Sequence, residues 1–261
     1  MRRPTPTSRK AQKKRSAPTK RLSKRQRGGG GLNMAEKAVA SLKHSIPAEK
    51  VDVKDLQRIV MLDRLNLVGK HIGTTGALQL AAALPFMTSL TTLNLGGNEI
   101  GDEGMRAIAA VLPSSLTYLD LRGNAIGAAG IHALAIALPR LTVLTSLDLS
   151  RNPFGDEGAG FLAMTLLSLR ALTQLGLSHN NIGDAGIFSL AAELPPTLTA
   201  LHLDGNSIGN EGAKALASVL HSFVALEELV LNNNSIGDEG MLALAALPKL
   251  KILELGDNSR R

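Results

Sequence analysis

The stretch "LTYLDLRGNAIG", residues 116–127, reads Leu-x-x-Leu-x-Leu-x-x-Asn-x-Ile-Gly, and the chain repeats that sentence. It occurs as "LDRLNLVGKHIG" from 62, "LTTLNLGGNEIG" from 90, "LTSLDLSRNPFG" from 144 and "LTQLGLSHNNIG" from 172. It continues as "LTALHLDGNSIG" from 198 and "LEELVLNNNSIG" from 226, with a partial "LKILELGDN" from 250. Successive starts lie 28, 26, 28, 28, 26, 28 and 24 residues apart, a period that marks a solenoid. Leu at positions one, four and six alternates inward around a short strand. Asn at position nine offers an amide to backbone groups that the turn would otherwise leave buried and unpaired. Ile or Phe at eleven returns to the core, and Gly at twelve is expected to permit the bend. "DEG", "DAG" or "NEG" then opens a helix, its acids placed near the positive N-terminal end. Each strand–helix unit buries its apolar faces mainly against its neighbours, so the array is cooperative.

These eight matches resemble leucine-rich repeats, and the long period with a helical second half resembles the ribonuclease-inhibitor-like class. The resemblance covers residues 62 to 258. It implies an α/β fold: a right-handed horseshoe solenoid with parallel strands on the concave face and helices on the convex face. It also implies a non-enzymatic scaffold that binds a protein partner. The GTPase-activating protein of the nuclear-transport GTPase Ran shares this repeat class, so a GTPase-activator-like regulator is the alternative. The acidic C-terminal segment of that family is missing here, and none of its functional residues is carried over. Ribonuclease inhibitors proper are rich in Cys and Trp, and this chain has neither. An innate-immune receptor would need a nucleotide-binding domain, for which there is no room.

Several motifs imitate chemistry. Gly205-Asn206-Ser207-Ile208-Gly209 matches the G-x-S-x-G of a hydrolase nucleophile elbow, but it is the repeat turn. Its serine fills a slot held elsewhere by His71, Glu99, Ala125, Pro153 and Asn181, so Ser207 is a spacer. Gly158-Ala159-Gly160 with Ala163 imitates a dinucleotide fingerprint, yet Gly158 is the repeat glycine. Of six histidines only His179 and His202 share a strand surface, and zinc normally wants three or four protein ligands. No catalytic residue, cofactor or metal is expected. The sequon Asn233-Asn234-Ser235 lies in a repeat turn and is expected to be unmodified.

Composition sharpens the picture. Aromatics make up 2% of the 261 residues, so Leu, Ala, Ile and Val must build the core. There are no cysteines, which excludes a disulfide scaffold and leans towards an intracellular, reducing location. No apolar run approaches a membrane span of roughly 18 residues, and no secretory signal is visible. The net charge of +7 divides unevenly. Residues 1–27 hold twelve Lys and Arg and no acid, leaving 17 basic and 22 acidic side chains in the rest. Residues 1–31 therefore read as a disordered basic tail ending in a Gly hinge, 32–61 as a helical cap, and 62–261 as the repeat domain. The basic runs Arg9-Lys10, Lys13-Lys14-Arg15, Lys20-Arg21 and Lys24-Arg25, with Arg27, resemble a bipartite nuclear import signal. The same charge would bind nucleic-acid phosphates. A solubility tail, an organelle-import segment or a true start at Met34 are the competing readings, so the location reads as nucleus or cytoplasm.

The partner surface follows from the repeat. Side chains between the inward leucines project from the strand face, and the only Tyr, Tyr118, lies there among Asp120, Arg122, Asp148 and Arg151. Tyr and Arg commonly dominate binding energy. Arg64, Gln174, His179, His202, Asp204 and Glu228 complete the candidate contact set. At the C-terminal end, Leu244, Leu247, Leu250, Leu253 and Leu255 form a layer with no following helix, an edge expected to be covered by a second copy or a partner, with fraying as the competing reading.

Overall fold

The computed structural model describes residues 62–247 and 249–258; the basic tail and the helical cap expected over residues 1–61 lie outside the described residues. Eight strands of three residues form one parallel sheet in strict chain order: β1 Arg64–Asn66, β2 Thr92–Asn94, β3 Tyr118–Asp120, β4 Ser146–Asp148, β5 Gln174–Gly176, β6 Ala200–His202, β7 Glu228–Val230 and β8 Ile252–Glu254. Between them run seven helices: α1 Gly73–Ala83, α2 Gly101–Val111, α3 Ala128–Ala137, α4 Gly155–Leu166, α5 Asp184–Ala191, α6 Asn210–Leu220 and α7 Asp238–Ala245. The register is set by the repeat, since Leu65, Leu93, Leu119, Leu147, Leu175, Leu201, Leu229 and Leu253 stand side by side. Those leucines, the repeat Ile or Phe and the helix residues behind them make one continuous core. Parallel strands sit about 4.8 Å apart whereas packed helices need 8–10 Å, so the strand side is the concave one.

The position-nine asparagines form a ladder between the two layers, as their spacing predicts. Asn124 gives Nδ2 to the carbonyls of Leu95 and Leu121, at 2.9 and 2.8 Å, while its Oδ1 accepts from the N–H of Asn98 at 3.0 Å. Asn98, Asn152, Asn206, Asn234 and Asn258 repeat this pattern of one amide tying two adjacent turns. Asn180 keeps half of it: Oδ1 accepts from Asn152, but Nδ2 has no partner. Lys70 holds the slot in the first repeat, where only its backbone N–H takes part, donating to Asn98 Oδ1.

The acids stand in the first turn of their helices, as the motif predicts, and the structure adds which N–H groups they reach. The acids after the repeat glycine do not cap their own helices, which show no side-chain cap. Each caps the next one. Oδ1 of Asp102, Asp156, Asp184 and Asn210 accepts from Gly127, Gly183, Gly209 and Gly237 at 2.7–2.8 Å. The same oxygen accepts from Gly130, Gly186, Gly212 and Gly240 at 2.9–3.1 Å. Nor does Gly at twelve always make a left-handed bend. Gly73, Gly101 and Gly155 do, with φ of 57°, 67° and 59°, but Gly127, Gly183, Gly209 and Gly237 are extended, with φ from −91° to −100°. The extended four are those that receive the neighbour's side-chain oxygen. Gly101 and Gly155 follow Thr74, whose hydroxyl donates to Ile100 instead, and Ala128, which has no acceptor. The neighbour one repeat back thus selects the backbone conformation.

Candidate partner-binding face

The strand face is built from three outward slots per repeat, and the small residues among them decide its relief. Gly176 on β5 and Ala200 on β6 leave a recess of about 200 Å³, lined also by Tyr118, Ser146, Asp148, Gln174, His202 and Glu228. A Cβ at Gly176 would stand 2.6 Å from Asp148 Oδ1, so the glycine is what lets that carboxylate lean over the sheet. At Gly96 a Cβ would meet Arg122 Cγ at 3.2 Å, because the arginine lies across it.

Charges pair laterally from strand to strand. Arg122 places Nε 3.3 Å from Asp120 Oδ2 and Nη1 3.9 Å from Asp148 Oδ2. His202 Nε2 meets Glu228 Oε1 at 3.2 Å, and His179 Nε2 meets Asp204 Oδ2 at 3.4 Å. Ser178 donates its hydroxyl to the other oxygen of Asp204. In that trio the carboxylate stands between hydroxyl and imidazole, so His179 meets Asp204 and not Ser178. The two histidines turn to separate carboxylates, and among the described residues no group of three side chains could hold a metal.

The structure gathers Tyr118, Asp148, Gln174, His202 and Glu228 around one recess and sets His179 with Asp204. It leaves Arg64 on β1 and Arg151 apart, both exposed. Asp120, expected as a contact residue, is corrected: it is fully buried, under Arg122. It lies against the Arg122 guanidinium instead. Sequence reasoning missed Ser146, Gly176 and Ala200, whose only signal was smallness among larger slot residues.

Burial raises the Asp120 carboxyl above its ordinary pKa, with Asp148 adding to this; the backbone N–H of Arg122, its guanidinium and the Asn94 side chain pull the other way. Tyr118 is raised by burial and by the same two carboxylates, against Arg122. A carboxyl raised on folding supports stability below its unfolded pKa of about 3.9 and loses that support as pH rises through the folded value. Asp120→Asn is therefore expected to gain stability relative to the parent as pH rises from acid to neutral. Urea unfolding of both proteins across that window checks it; a difference independent of pH would contradict the assignment.

A one-way stack of strand, turn and helix that presents a polar strand face defines the class of repeat solenoids. The leucine-rich repeat family model matches residues 86–109, 113–135, 140–163, 168–191, 195–217 and 226–245, and the chain belongs to that family. No curated protein matches the chain. Among the described residues no helix is long and apolar enough to cross a membrane.

Proposed function

We propose that this chain is a non-enzymatic scaffold that docks a protein partner on its concave strand face. The recess between Tyr118 and Glu228 carries the reading: it is the one place where the only Tyr, two carboxylates and a hollow made by Gly176 and Ala200 coincide. Arg122, fixed from below by Asp120 and from the side by Asp148, flanks it as a preorganised cation. Preorganised anchors lose little entropy on binding. Affinity capture with the full chain and its Tyr118→Ala/Arg122→Ala variant tests this. The variant is expected to lose the principal partner at least tenfold, whereas Arg106→Ala/His132→Ala on the helix side retains it. The opposite pattern would place the interface on the helices. GTPase activation rests on the repeat class alone; stimulated GTP hydrolysis by a Ran-type GTPase, unaffected at Tyr118, would favour it instead.

The twelve cationic side chains of residues 1–27 support a second element of the reading, nuclear targeting or contact with nucleic acid. A reporter fused to residues 1–31 is expected to accumulate in the nucleus, or the full chain to be held on RNA or DNA in a salt-sensitive manner that a chain starting at Met34 loses. A cytoplasmic reporter together with no salt-sensitive retention rejects both.

A further inference from the structure

The helix layer carries an apolar patch that its repeat does not require. Met164 on α4 is 80% exposed, Ile136 on α3 70%, Phe188 on α5 54% and Leu167, just past α4, 51%. Ile136 and Met164 occupy the same place, nine residues after their repeat glycines, on adjacent helices. Phe161, half-buried, closes the gap between those helices by stacking on His132 at 4.5 Å. The flanking helices hold Ala110 and Arg106 on α2, and Ser218 and Lys214 on α6, at the corresponding places. Exposed apolar residues elsewhere, such as Val224 and Leu242, are single and ordinary. Two large apolar side chains in register on adjacent helices, with two more nearby on the same layer, are another matter, because soluble monomers seldom expose an apolar patch larger than a few hundred Å².

The charges around the patch are arranged for the same surface turned by half a revolution. All helices run in one direction, so the acids that open α4 and α5 lie at one edge of the patch, while Arg140 and Arg170, past the ends of α3 and α4, lie at the other beside Glu193. Glu157 lies on the first turn of α4, seven residues before Met164, and Arg170 lies six residues after it; both are exposed and neither has an ion-pair partner among the described residues. A two-fold axis beside Met164 sets α4 antiparallel to its copy. It would bring Glu157, on the first turn of α4, to the side of the partner's Arg170, which lies just past the end of α4, and by the same rotation Arg170 to the partner's Glu157. An isologous contact needs this self-complementarity, and an apolar centre with a charged rim is the usual anatomy of such an interface.

We infer that the convex surface of α3, α4 and α5 is a homodimer interface, in which two copies pack Ile136, Met164, Leu167 and Phe188 against each other about a two-fold axis at Met164. This leaves both concave faces open, so a dimer presents two partner sites pointing away from each other. It is independent of the concave-face reading, and each can fail alone. It is also distinct from the C-terminal edge expected from the terminal leucines, since that edge lies two helices beyond α5.

Sedimentation of the full chain at tens of micromolar, in salt sufficient to screen the basic tail, is expected to give a dimer. Ile136→Glu/Met164→Glu is expected to raise the dimer dissociation constant at least a hundredfold with an unchanged unfolding curve under monomeric conditions, as both side chains face water. Arg170→Glu weakens the dimer, and adding Glu157→Arg restores it. Because the chain has no cysteine, a single Met164→Cys gives a clean geometric reading. Under mild oxidation it is expected to link to its own copy much faster than Arg106→Cys or Ser218→Cys. A strict monomer overturns the inference. So does a dimer that survives the double Glu variant, or equal linking rates at the three positions.

Discussion

Asn206→Leu is expected to cost about 2–4 kcal/mol, whereas Ser207→Ala, one residue on, is expected to change stability by less than about 0.5 kcal/mol. Asn206 is buried and makes four bonds: Nδ2 to the carbonyls of Leu177 and Leu203 at 2.9 Å, and Oδ1 from the N–H groups of Asn180 and Ile182 at 2.9 and 3.0 Å. Leucine has similar bulk but answers none of them, so the Leu177 carbonyl and the amides of Asn180 and Ile182 are left dry, while the Leu203 carbonyl keeps only Asn234 Nδ2. Ser207 is exposed and contributes its backbone, through an N–H donated to the Ile182 carbonyl. Alanine keeps that bond. Denaturant midpoints measure both, and equal midpoints would remove the distinction between ladder and spacer. The same pair disposes of the nucleophile-elbow match, because Ser207→Ala should also leave partner binding unchanged.

The second large effect concerns two glycines of neighbouring helices. Gly186→Ala is expected to destabilise by about 2–4 kcal/mol, combining overpacking with a lost helix cap. Its Cβ would stand 2.6 Å from Asp156 Oδ1 and 2.7 Å from Ile182 Cγ2. The carboxylate cannot withdraw without releasing the N–H groups of Gly183 and Gly186 that it caps. Gly160→Ala, in the middle of α4, should instead stabilise by about 0.5–1 kcal/mol, because nothing lies within 4 Å of its Cβ and alanine restricts the unfolded chain. Opposite signs for the two substitutions, read as shifts in thermal midpoint, are the expected result. A loss at both would mean that α4 tolerates no added methyl, and a gain at both that the Asp156 cap is slack.

These glycines show how the sequence and the structure divide the account. The motif "DEG" was legible as a helix start, and the acid as suited to a helix N-terminus. Which helix it serves was not, because the capped N–H groups lie 25–30 residues downstream. Asp120 is similar. Its place on the outward side of β3 followed from alternation, but Arg122 folding across Gly96 to bury it depended on the adjoining strand. The recess beside Tyr118 required knowing that Gly176 and Ala200 stand diagonally across β5 and β6, where Gln174 faces Ala200 and Gly176 faces His202.

By itself the sequence determined the solenoid. Eight copies of one apolar frame dictate the strand register, the buried leucine spine, the amide ladder and the order of the elements, because each of those features depends on the repeated positions alone. It also determined the charge division between residues 1–27 and the rest. The tertiary structure decided what the variable positions do. They are separated by one period along the chain yet touch across neighbouring repeats, so their pairings, the two conformations of the repeat glycine and the placing of Ile136 and Met164 side by side on adjacent helices arise only when the units stack. A repeat fixes its backbone through local pattern, but its side chains answer to the repeat beside it.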